Sequence, residues 1–410
     1  MLRSAFVLFA LVALCIVWSM DHLHSSLYIH LPLKPRKTSA DRICEHGYPA
    51  ESHYITTSDG YILNIFRIPY SPRLSNRYIS KPVVFIQHGL MASSDGFLLN
   101  GPDNALAYNF ADAGFDVWLG NARGNIYSRN HSTIWIKHPK FWKFSWHEIG
   151  TIDIPETIDY VLHRTGEKAI HYVGHSQGST AYFVMLSIRP EYNAKIKTGH
   201  ALAPAVFMGN ATQDIIVNLV PLLGNPDGVG TKLLCDQQFT PYNSYICRIL
   251  DTACGSPTKY PKYCRILYLL WSGGAQGNVN STLLPQVAET HPAGISTNQA
   301  IHFIQSKVSN MFRQYDFGTK KNQKLYNQTE PPAYPLEKVT ANTYLYYGLN
   351  DGAANASDVK RLAHNLPNLR LLHEVPISTW SHIDFVLAWQ VKQEINDPVI
   401  QYCKDYEVAN

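Results

Sequence analysis

The segment at residues 174–178, Gly-His-Ser-Gln-Gly, constrains the fold of this chain more than any other. It is a G-x-S-x-G motif that lies between an apolar run at residues 169–173 (AIHYV) and a run of helical character at residues 179–188. This order predicts a strand, a tight turn and a helix, with the serine at the top of a sheet. A chain that contains this unit needs a sheet with helices packed on its faces.

Ser176 is the predicted nucleophile of this turn. Its side chain would project alone above the sheet, and the N-terminus of the following helix would direct free N–H groups and a favourable dipole towards it. Gly174 and Gly178 suit the turn because a Cβ atom at either position would clash with neighbouring backbone. The alternative is a glycine-bounded turn in which Ser176 makes only local hydrogen bonds.

Apolar runs and helical patterns alternate along most of the chain. Candidate strands lie at residues 54–57, 61–68, 82–87, 115–119, 169–173, 343–347 and 370–375, the first two separated by the hairpin signal Ser58-Asp59-Gly60. Candidate helices lie at residues 152–162, 179–188 and 357–366, and a C-terminal helix is expected from near Ile383. Strands that alternate with helices predict an α/β fold with a mostly parallel sheet.

The regular alternation stops near Pro204 and returns at residue 343. Residues 205–325 hold Gly/Pro breaks and a cluster of cysteines, and we interpret them as an inserted, largely helical cap. The expected domain organisation is therefore a core formed by residues 44–204 and 326–410, with the cap inserted between these two parts.

A serine hydroxyl becomes a strong nucleophile only when a base takes its proton. In α/β-hydrolases the nucleophile is followed along the chain by an acid and then by a histidine. Among the 18 histidines, His382 fits best because it lies after the last candidate strand and before the expected final helix. His373 is the alternative, but it falls within that strand, where a side chain tends to be structural.

The acid that orients this histidine should follow a strand. Asp351 does so, directly after residues 343–347 (TYLYY), and is the predicted acid. Asp358 is the second candidate, although a place in the first turn of a helix explains it equally well. Asp384 is too close to His382 in the sequence to be the preferred partner.

Two backbone N–H groups should stabilise the oxyanion of the reaction. One is expected from Gln177, the residue after the nucleophile, and the other from the loop that follows residues 82–87. That loop begins His88-Gly89-Leu90, and we assign Leu90 as the second donor. A simple turn is the alternative interpretation of His88-Gly89.

The N-terminus has the pattern of a signal peptide over residues 1–19, with Arg3 before an apolar run that is too short for a usual membrane span. A non-cleaved anchor is the alternative, and no second apolar run of spanning length follows. Secretion, or delivery to the lysosomal lumen, is therefore expected. Five Asn-x-Ser/Thr sequons are then candidate glycosylation sites: Asn130, Asn210, Asn280, Asn327 and Asn355.

Loss of the leader removes Cys15 from the seven cysteines and leaves six. An even number in an oxidising compartment predicts disulfides. The six are Cys44, Cys235, Cys247, Cys254, Cys264 and Cys403, and the four within residues 235–264 lack the close C-x₂₋₄-C pairs that zinc sites favour. Neither a metal nor an organic cofactor is expected.

The formal net charge of +4 is mild, and the sequence holds no long basic run. Nucleic acid is therefore not an expected partner. The sequence does not indicate an oligomeric state.

Several stretches together resemble the acid lipases, the gastric and lysosomal neutral lipid lipases that have many relatives in insects. The resemblance covers nearly the whole mature chain. Its stretches are DGYIL at 59–63, PVVFIQHGL at 82–90, ADAGFDVWLGNARGN at 111–125, YSRNH at 127–131, YVGHSQGST at 172–180, HPAGIS at 291–296, YDFG at 315–318 and SHIDFVLAW at 381–389.

The resemblance implies an α/β-hydrolase core, a cap with a mobile lid, and hydrolysis of triacylglycerols or cholesteryl esters at a lipid–water interface. Matched residue by residue, it implies a Ser176–Asp351–His382 triad with Leu90 and Gln177 as oxyanion donors. It also implies a cap disulfide between Cys254 and Cys264. The family pattern has a further cysteine a few residues after Cys264, and this sequence has Trp271 or a neighbouring residue in its place. The family pattern assigns no partner to the remaining cysteines.

Other functions remain open from the residues alone. An esterase for small soluble esters would use the same triad, because fold and triad are shared across many chemistries. A non-catalytic lipid carrier on this fold should lack a triad member, whereas all are present. A hydrolase of the haloalkane or epoxide type usually has an aspartate nucleophile, which Ser176 argues against.

Overall fold

The computed structural model describes residues 36–239 and 278–409. Their main feature is a nine-stranded sheet in which eight strands follow the order β1-β2-β4-β3-β6-β7-β10-β11 and β5 pairs with β2. Neighbouring strands from β4 to β11 run parallel, and the hairpin β1-β2 joins the edge of this parallel part in antiparallel fashion. The prediction of an α/β fold with a mostly parallel sheet is confirmed.

The strands of this sheet are β1 Glu51–Thr56, β2 Tyr61–Ile68, β3 Val83–Gln87, β4 Asp116–Leu119, β5 Asn130–His131, β6 Ile170–His175, β7 Ile196–Leu202, β10 Thr343–Tyr347 and β11 Leu369–Glu374. A separate two-stranded sheet pairs β8 Gln238–Phe239 with β9 Ile295–Ser296. The described helices are α1 Ser39–Glu45, α2 Gly101–Asn104, α3 Leu106–Asp112, α4 Trp146–Glu148, α5 Ile154–Thr165, α6 Gln177–Ile188, α7 Asp214–Leu223, α8 Val229–Leu234, α9 Leu284–Thr290, α10 Thr297–Ser309, α11 Thr319–Tyr326, α12 Ala356–His364, α13 Asp384–Leu387 and α14 Asp397–Ala409. None of these helices combines the length and the apolar character that a membrane crossing requires.

Two of the differences from the expectations lie in the core. Strand β7 was not predicted, because its sequence IKTGHAL contains no continuous apolar run. The C-terminal helix is divided: α13 ends at Leu387, a π-helical segment covers Lys392–Asn396, and α14 follows. Segment Ala388–Trp389 leaves the helix to pair with Val279 and Asn278, which explains the interruption.

The core lies on both faces of the parallel strands. Strands β3 and β6 are buried along their whole length, as expected for a sheet with helices on both faces. The largest fully buried side chains include Trp118, Trp146 and Trp380, which lie in different parts of the chain. One continuous apolar cluster therefore contains residues from the first part of the chain, up to β7, and from the last part, from β10 onwards.

The regular secondary structure of the described chain between β7 and β10 is mostly helical. It contains α7 to α11 and the small sheet β8-β9. A second, smaller apolar cluster holds this part together and consists of Leu219, Leu223, Ile301, Ile304 and Tyr315. Helices α7 and α10 thus pack on each other as well as on the core.

Three of the cysteines lie in the described residues, and all three are free. Cys44 is exposed and Cys235 is half-buried, while Cys403 is buried in α14 with its Sγ atom 3.6 Å from the hydroxyl of Thr198. The structure thus does not confirm the disulfide expectation for these three cysteines. Cys247, the Cys254–Cys264 pair and the signal peptide at residues 1–19 lie outside the described residues.

Arg123 forms the most deeply buried ion-pair network of the described core. Its side chain is 1% exposed and lies between two carboxylates, those of Asp59 at 2.6 Å and Asp153 at 2.6 Å. Its guanidinium also stacks on Tyr61, 4.0 Å from the ring centroid. The network joins the β1-β2 hairpin, the loop after β4 and the start of α5, so it fixes three elements relative to one another.

We expect Arg123→Leu to lower the free energy of unfolding by about 3–5 kcal/mol, because it leaves the buried carboxylate of Asp153 and the partly exposed one of Asp59 without their cation. Chemical denaturation measures this value. Lys392→Leu is the control, since Lys392 and its partner Asp397 are 44% and 52% exposed and such a pair contributes less than about 1 kcal/mol. Equal effects of the two substitutions would contradict a stabilising role for the Arg123 network.

Candidate active site

Ser176 lies at the junction between strand β6, which ends at His175, and helix α6, which begins at Gln177. Its backbone has φ of 53° and ψ of −116°, a conformation that residues with a Cβ atom rarely adopt. A turn of this kind aims the serine side chain away from both elements. The predicted strand–turn–helix unit is thus present around residues 174–178.

The two glycines of the motif allow a close approach of helix and strand. A Cβ atom at Gly178 would lie 2.3 Å from the carbonyl oxygen of Gln87, the last residue of β3. One at Gly174 would lie 2.6 Å from the carbonyl carbon of Gly178. Both positions therefore require glycine, because any side chain would move α6 away from the sheet.

Ser176, His382 and Asp351 form a continuous chain of hydrogen bonds. The Oγ atom of Ser176 lies 2.7 Å from Nε2 of His382, whose Nδ1 atom lies 2.8 Å from Oδ2 of Asp351. The carboxylate can only accept, so Nδ1 carries the proton and Nε2 is free to accept the serine hydroxyl. The structure thus brings together the three residues that the sequence placed in this order.

Asp351 is held in place from its other side. Its Oδ1 atom accepts the backbone N–H groups of Ala353 and Ala354, both at 2.8 Å. The side chain is 0% exposed, so these bonds replace the water that a carboxylate would otherwise bind. Asp351 is therefore fully satisfied in the orientation that faces His382.

The alternative residues lie in other environments. Asp358 accepts both the backbone N–H and the side-chain amide of Asn210, each at 2.8 Å. His373 lies within β11, and its Nε2 atom has no hydrogen-bond partner in the described part of the chain. Asp384 accepts the backbone N–H of Ser381 at 2.6 Å. None of the three is hydrogen-bonded to Ser176 or His382.

The loop after β3 lies directly against the nucleophile elbow. A Cβ atom at Gly89 would lie only 3.0 Å from the Cβ atom of Ser176. His88 fixes this loop: its Nε2 atom accepts the backbone N–H of Ala122 at 3.1 Å, and its Nδ1 atom donates to the carbonyl oxygen of Gly89 at 2.8 Å. Leu90 follows Gly89 and lines the same cavity as Ser176.

Three buried histidines surround the site besides His382. Burial lowers the pKa of His88 to about 4, that of His175 to about 3 and that of His291 to about 4. Each ring is therefore neutral at neutral pH and can donate through one nitrogen and accept through the other. The sequence analysis placed His88 in the loop expected to supply an oxyanion donor, but it gave no role to the side chains of His88, His175 or His291. His88 and His175 belong to the His-Gly and G-x-S-x-G motifs, whereas His291 stands only in the family stretch HPAGIS.

An apolar cavity of about 150 Å³ opens at Ser176 and His382. Its walls come from the loop after β3, from α7 and α10 and from α13, and they include Phe97, Leu219, Ala300, Phe303 and Leu387. Among the residues that the structure describes, no group of three or more histidine, cysteine, aspartate or glutamate side chains is placed to hold a metal ion. The site can thus accept an apolar chain next to an activated hydroxyl.

Comparison with known proteins places the chain among the lipases. Residues 39–101 match the model of a partial α/β-hydrolase lipase region, and residues 82–227 match that of the α/β hydrolase fold. The chain is 41% identical to Lipase 3 of Drosophila melanogaster, over 91% of this chain and 94% of that protein. It is 36% identical to human gastric triacylglycerol lipase, over 86% of this chain and 87% of that protein. The chain therefore belongs to the acid lipase family of α/β-hydrolases, a family of carboxylic ester hydrolases.

Proposed function

We propose that this protein hydrolyses carboxylic esters of neutral lipids, triacylglycerols and also cholesteryl esters, through an acyl-enzyme formed on Ser176. The observation that carries the proposal is the hydrogen-bonded sequence Ser176–His382–Asp351 at the mouth of an apolar cavity. The likeness to gastric triacylglycerol lipase supports the same substrate class.

The first half of the reaction acylates the serine. His382 accepts the hydroxyl proton of Ser176 at Nε2 while Oγ forms a bond to the ester carbonyl carbon. The tetrahedral intermediate then breaks its bond to the alcohol oxygen, which takes the proton from His382 and leaves. Asp351 keeps the imidazole in the correct tautomer and stabilises its charged form.

The second half releases the fatty acid. Water gives a proton to His382 and attacks the acyl carbon, and the bond to Oγ of Ser176 breaks. The proton returns to the serine, so that the acid leaves and the free enzyme is restored. This sequence uses no metal or organic cofactor.

Backbone geometry supports Gln177 and Leu90 as the proposed oxyanion donors. Gln177 is the first residue of α6, and the first N–H groups of a helix have no partner within it. The N–H of Leu90 belongs to the same planar peptide as the carbonyl of Gly89, which accepts a hydrogen bond from His88. In a trans peptide these two groups point in opposite directions, so the hold of His88 on the carbonyl orients the N–H of Leu90.

The proposed organisation follows from the same elements. Residues 205–325 act as a cap over the core formed by residues 44–204 and 326–410, and the separate apolar cluster of α7 and α10 supports this division. We propose further that residues 1–19 are a signal peptide and that the enzyme is secreted or lysosomal. Three of the sequon asparagines are exposed, namely Asn130, Asn210 and Asn327, and two are half-buried, namely Asn280 and Asn355. None of the five is fully buried, which supports their glycosylation.

We expect Ser176→Ala to lower kcat for ester hydrolysis by about 10⁴-fold or more, because among the described residues Ser176 carries the only hydroxyl bonded to the ring of His382. The measurement is hydrolysis of emulsified triolein and of a p-nitrophenyl ester, with circular dichroism as the check on folding. Alanine removes one oxygen atom from the turn, so the fold should persist. A folded variant that still turns over would exclude Ser176 as the nucleophile.

We expect Asp351→Asn to lower kcat by about 10²–10⁴-fold, since an amide cannot both hold the Nδ1 proton and stabilise the imidazolium. Asp358→Asn is the matched control: its carboxylate contacts Asn210 and not His382. It should keep kcat within about threefold of the wild type. If Asp358→Asn were the more damaging substitution, the assignment of the acid would be wrong.

Substitution of Ala300 tests the acyl site. Ala300 lies on α10 in the cavity wall, and a larger residue there should occupy space that a long acyl chain needs. We expect Ala300→Phe to lower kcat/KM for a long-chain p-nitrophenyl ester about tenfold more than for the butyrate ester. Ala409→Phe, at the exposed end of α14, should leave this ratio unchanged. An unchanged ratio in Ala300→Phe would favour small soluble esters as substrates that do not use the cavity.

A further inference from the structure

The side chain of His175 joins the nucleophile elbow to the segment that carries His382. His175 is the last residue of β6, and its side chain is directed towards this segment although the two residues are 207 positions apart. The Nε2 atom of His175 lies 2.9 Å from the backbone carbonyl oxygen of His382. A carbonyl oxygen can only accept, so Nε2 carries the proton and donates.

The segment around His382 has little regular structure of its own. It lies between β11, which ends at Glu374, and the one-turn helix α13, which begins at Asp384. Its backbone therefore depends on hydrogen bonds from other elements. Because the imidazole is attached to this backbone, a small shift of the backbone moves Nε2 of His382 relative to Ser176.

Two residues next to the other members of the triad hold this segment. Asn350, which precedes Asp351, donates its backbone N–H to the carbonyl of Trp380 at 3.1 Å. His175, which precedes Ser176, donates to the carbonyl of His382 itself. The histidine segment is thus attached to the acid loop at one carbonyl and to the nucleophile elbow at another.

We propose that His175 is a positioning residue for His382, and this inference rests on the proposed function. By holding the carbonyl of His382 it fixes the backbone from which the imidazole extends, and so sets the distance between Nε2 and the hydroxyl of Ser176. It acts through His382 and does not touch the reacting atoms. The bond from Asp351 alone does not fix this distance, because it holds the ring at Nδ1 and not the backbone of His382.

The neutral state of His175 is also suited to this position. The centroids of the His175 and His382 rings are 5.0 Å apart, so a charge on His175 would oppose the imidazolium that forms during catalysis. The groups that act electrostatically on His175 are His382, Asp351 and His88, and burial is the largest influence on its pKa. His175 thus supplies a hydrogen-bond donor without a positive charge.

The test compares two substitutions of equal length. In His175→Gln the amide nitrogen occupies the place of Nε2 and can donate to the same carbonyl, whereas His175→Met has the same reach and no N–H. We expect His175→Met to lower kcat about 10–100-fold with KM within about twofold of the wild type, as for a misplaced catalytic group. We expect His175→Gln to keep kcat within about threefold.

A second measurement reports on the activation of Ser176 with a reagent that has no long acyl chain to place in the cavity. Inactivation by a small p-nitrophenyl organophosphate requires Ser176 to attack phosphorus, so its rate should fall in His175→Met in parallel with kcat and remain near the wild-type rate in His175→Gln. If His175→Met does not fold, His175→Ser replaces it with the same expectations, because serine is smaller and too short to reach the carbonyl.

Two results would overturn the proposal. One is a folded methionine or serine variant with kcat within about threefold of the wild type, and the other is a glutamine variant that loses as much activity as the methionine variant. Ser176→Ala, measured alongside, separates this failure from that of the proposed function. If it is inactive while the His175 variants are unaffected, only the positioning role is wrong, whereas an active Ser176→Ala enzyme refutes the proposed function itself.

Discussion

The contact between helix α6 and the end of strand β3 is the constraint on which the site depends. At Gly178 the helix approaches the carbonyl oxygen of Gln87 so closely that no side chain fits between them. This approach forces the sharp turn at Ser176, whose positive φ is the strained part of the arrangement. It also brings the residues after Gln87 against the elbow, so that the proposed nucleophile and the loop with Leu90 become neighbours through one packing contact.

The parallel sheet extends this effect to the rest of the site. Strands β3, β6 and β10 run in the same direction, so the residues that follow them meet at one edge although they are far apart in the chain. The hydrogen bond between Ser176 and His382 joins residues 206 positions apart, and the one between His382 and Asp351 joins residues 31 positions apart. A change in any of these strands therefore affects the geometry of the other members.

Sequence could predict the parts of this arrangement that follow from local pattern and chain order. Continuous apolar runs located β3, β6 and β10, and the order of serine, acid and histidine selected Asp351 and His382 from many candidates. Strand β7 was missed because Thr198 and His200 point into the core as polar side chains, where His171 and Tyr346 satisfy them. The role inferred for His175 could not be predicted from the sequence either. It depends on a hydrogen bond to the carbonyl of His382, which is 207 positions away and is marked by no local pattern.

These buried histidines also reconcile two opposing needs of the site. An apolar cavity must exclude water, yet the loop at Gly89 and the segment at His382 need hydrogen-bond donors to hold them. A lysine or arginine in the same places would bring a charge whose burial is costly and which would oppose the imidazolium of His382. His88 and His175 donate while neutral, and because burial lowers their pKa to about 4 and about 3, these two donors stay uncharged well into the acid range. Burial in apolar surroundings thus makes the cavity suitable for lipid, and it also keeps His88 and His175 neutral, the state in which they donate these hydrogen bonds.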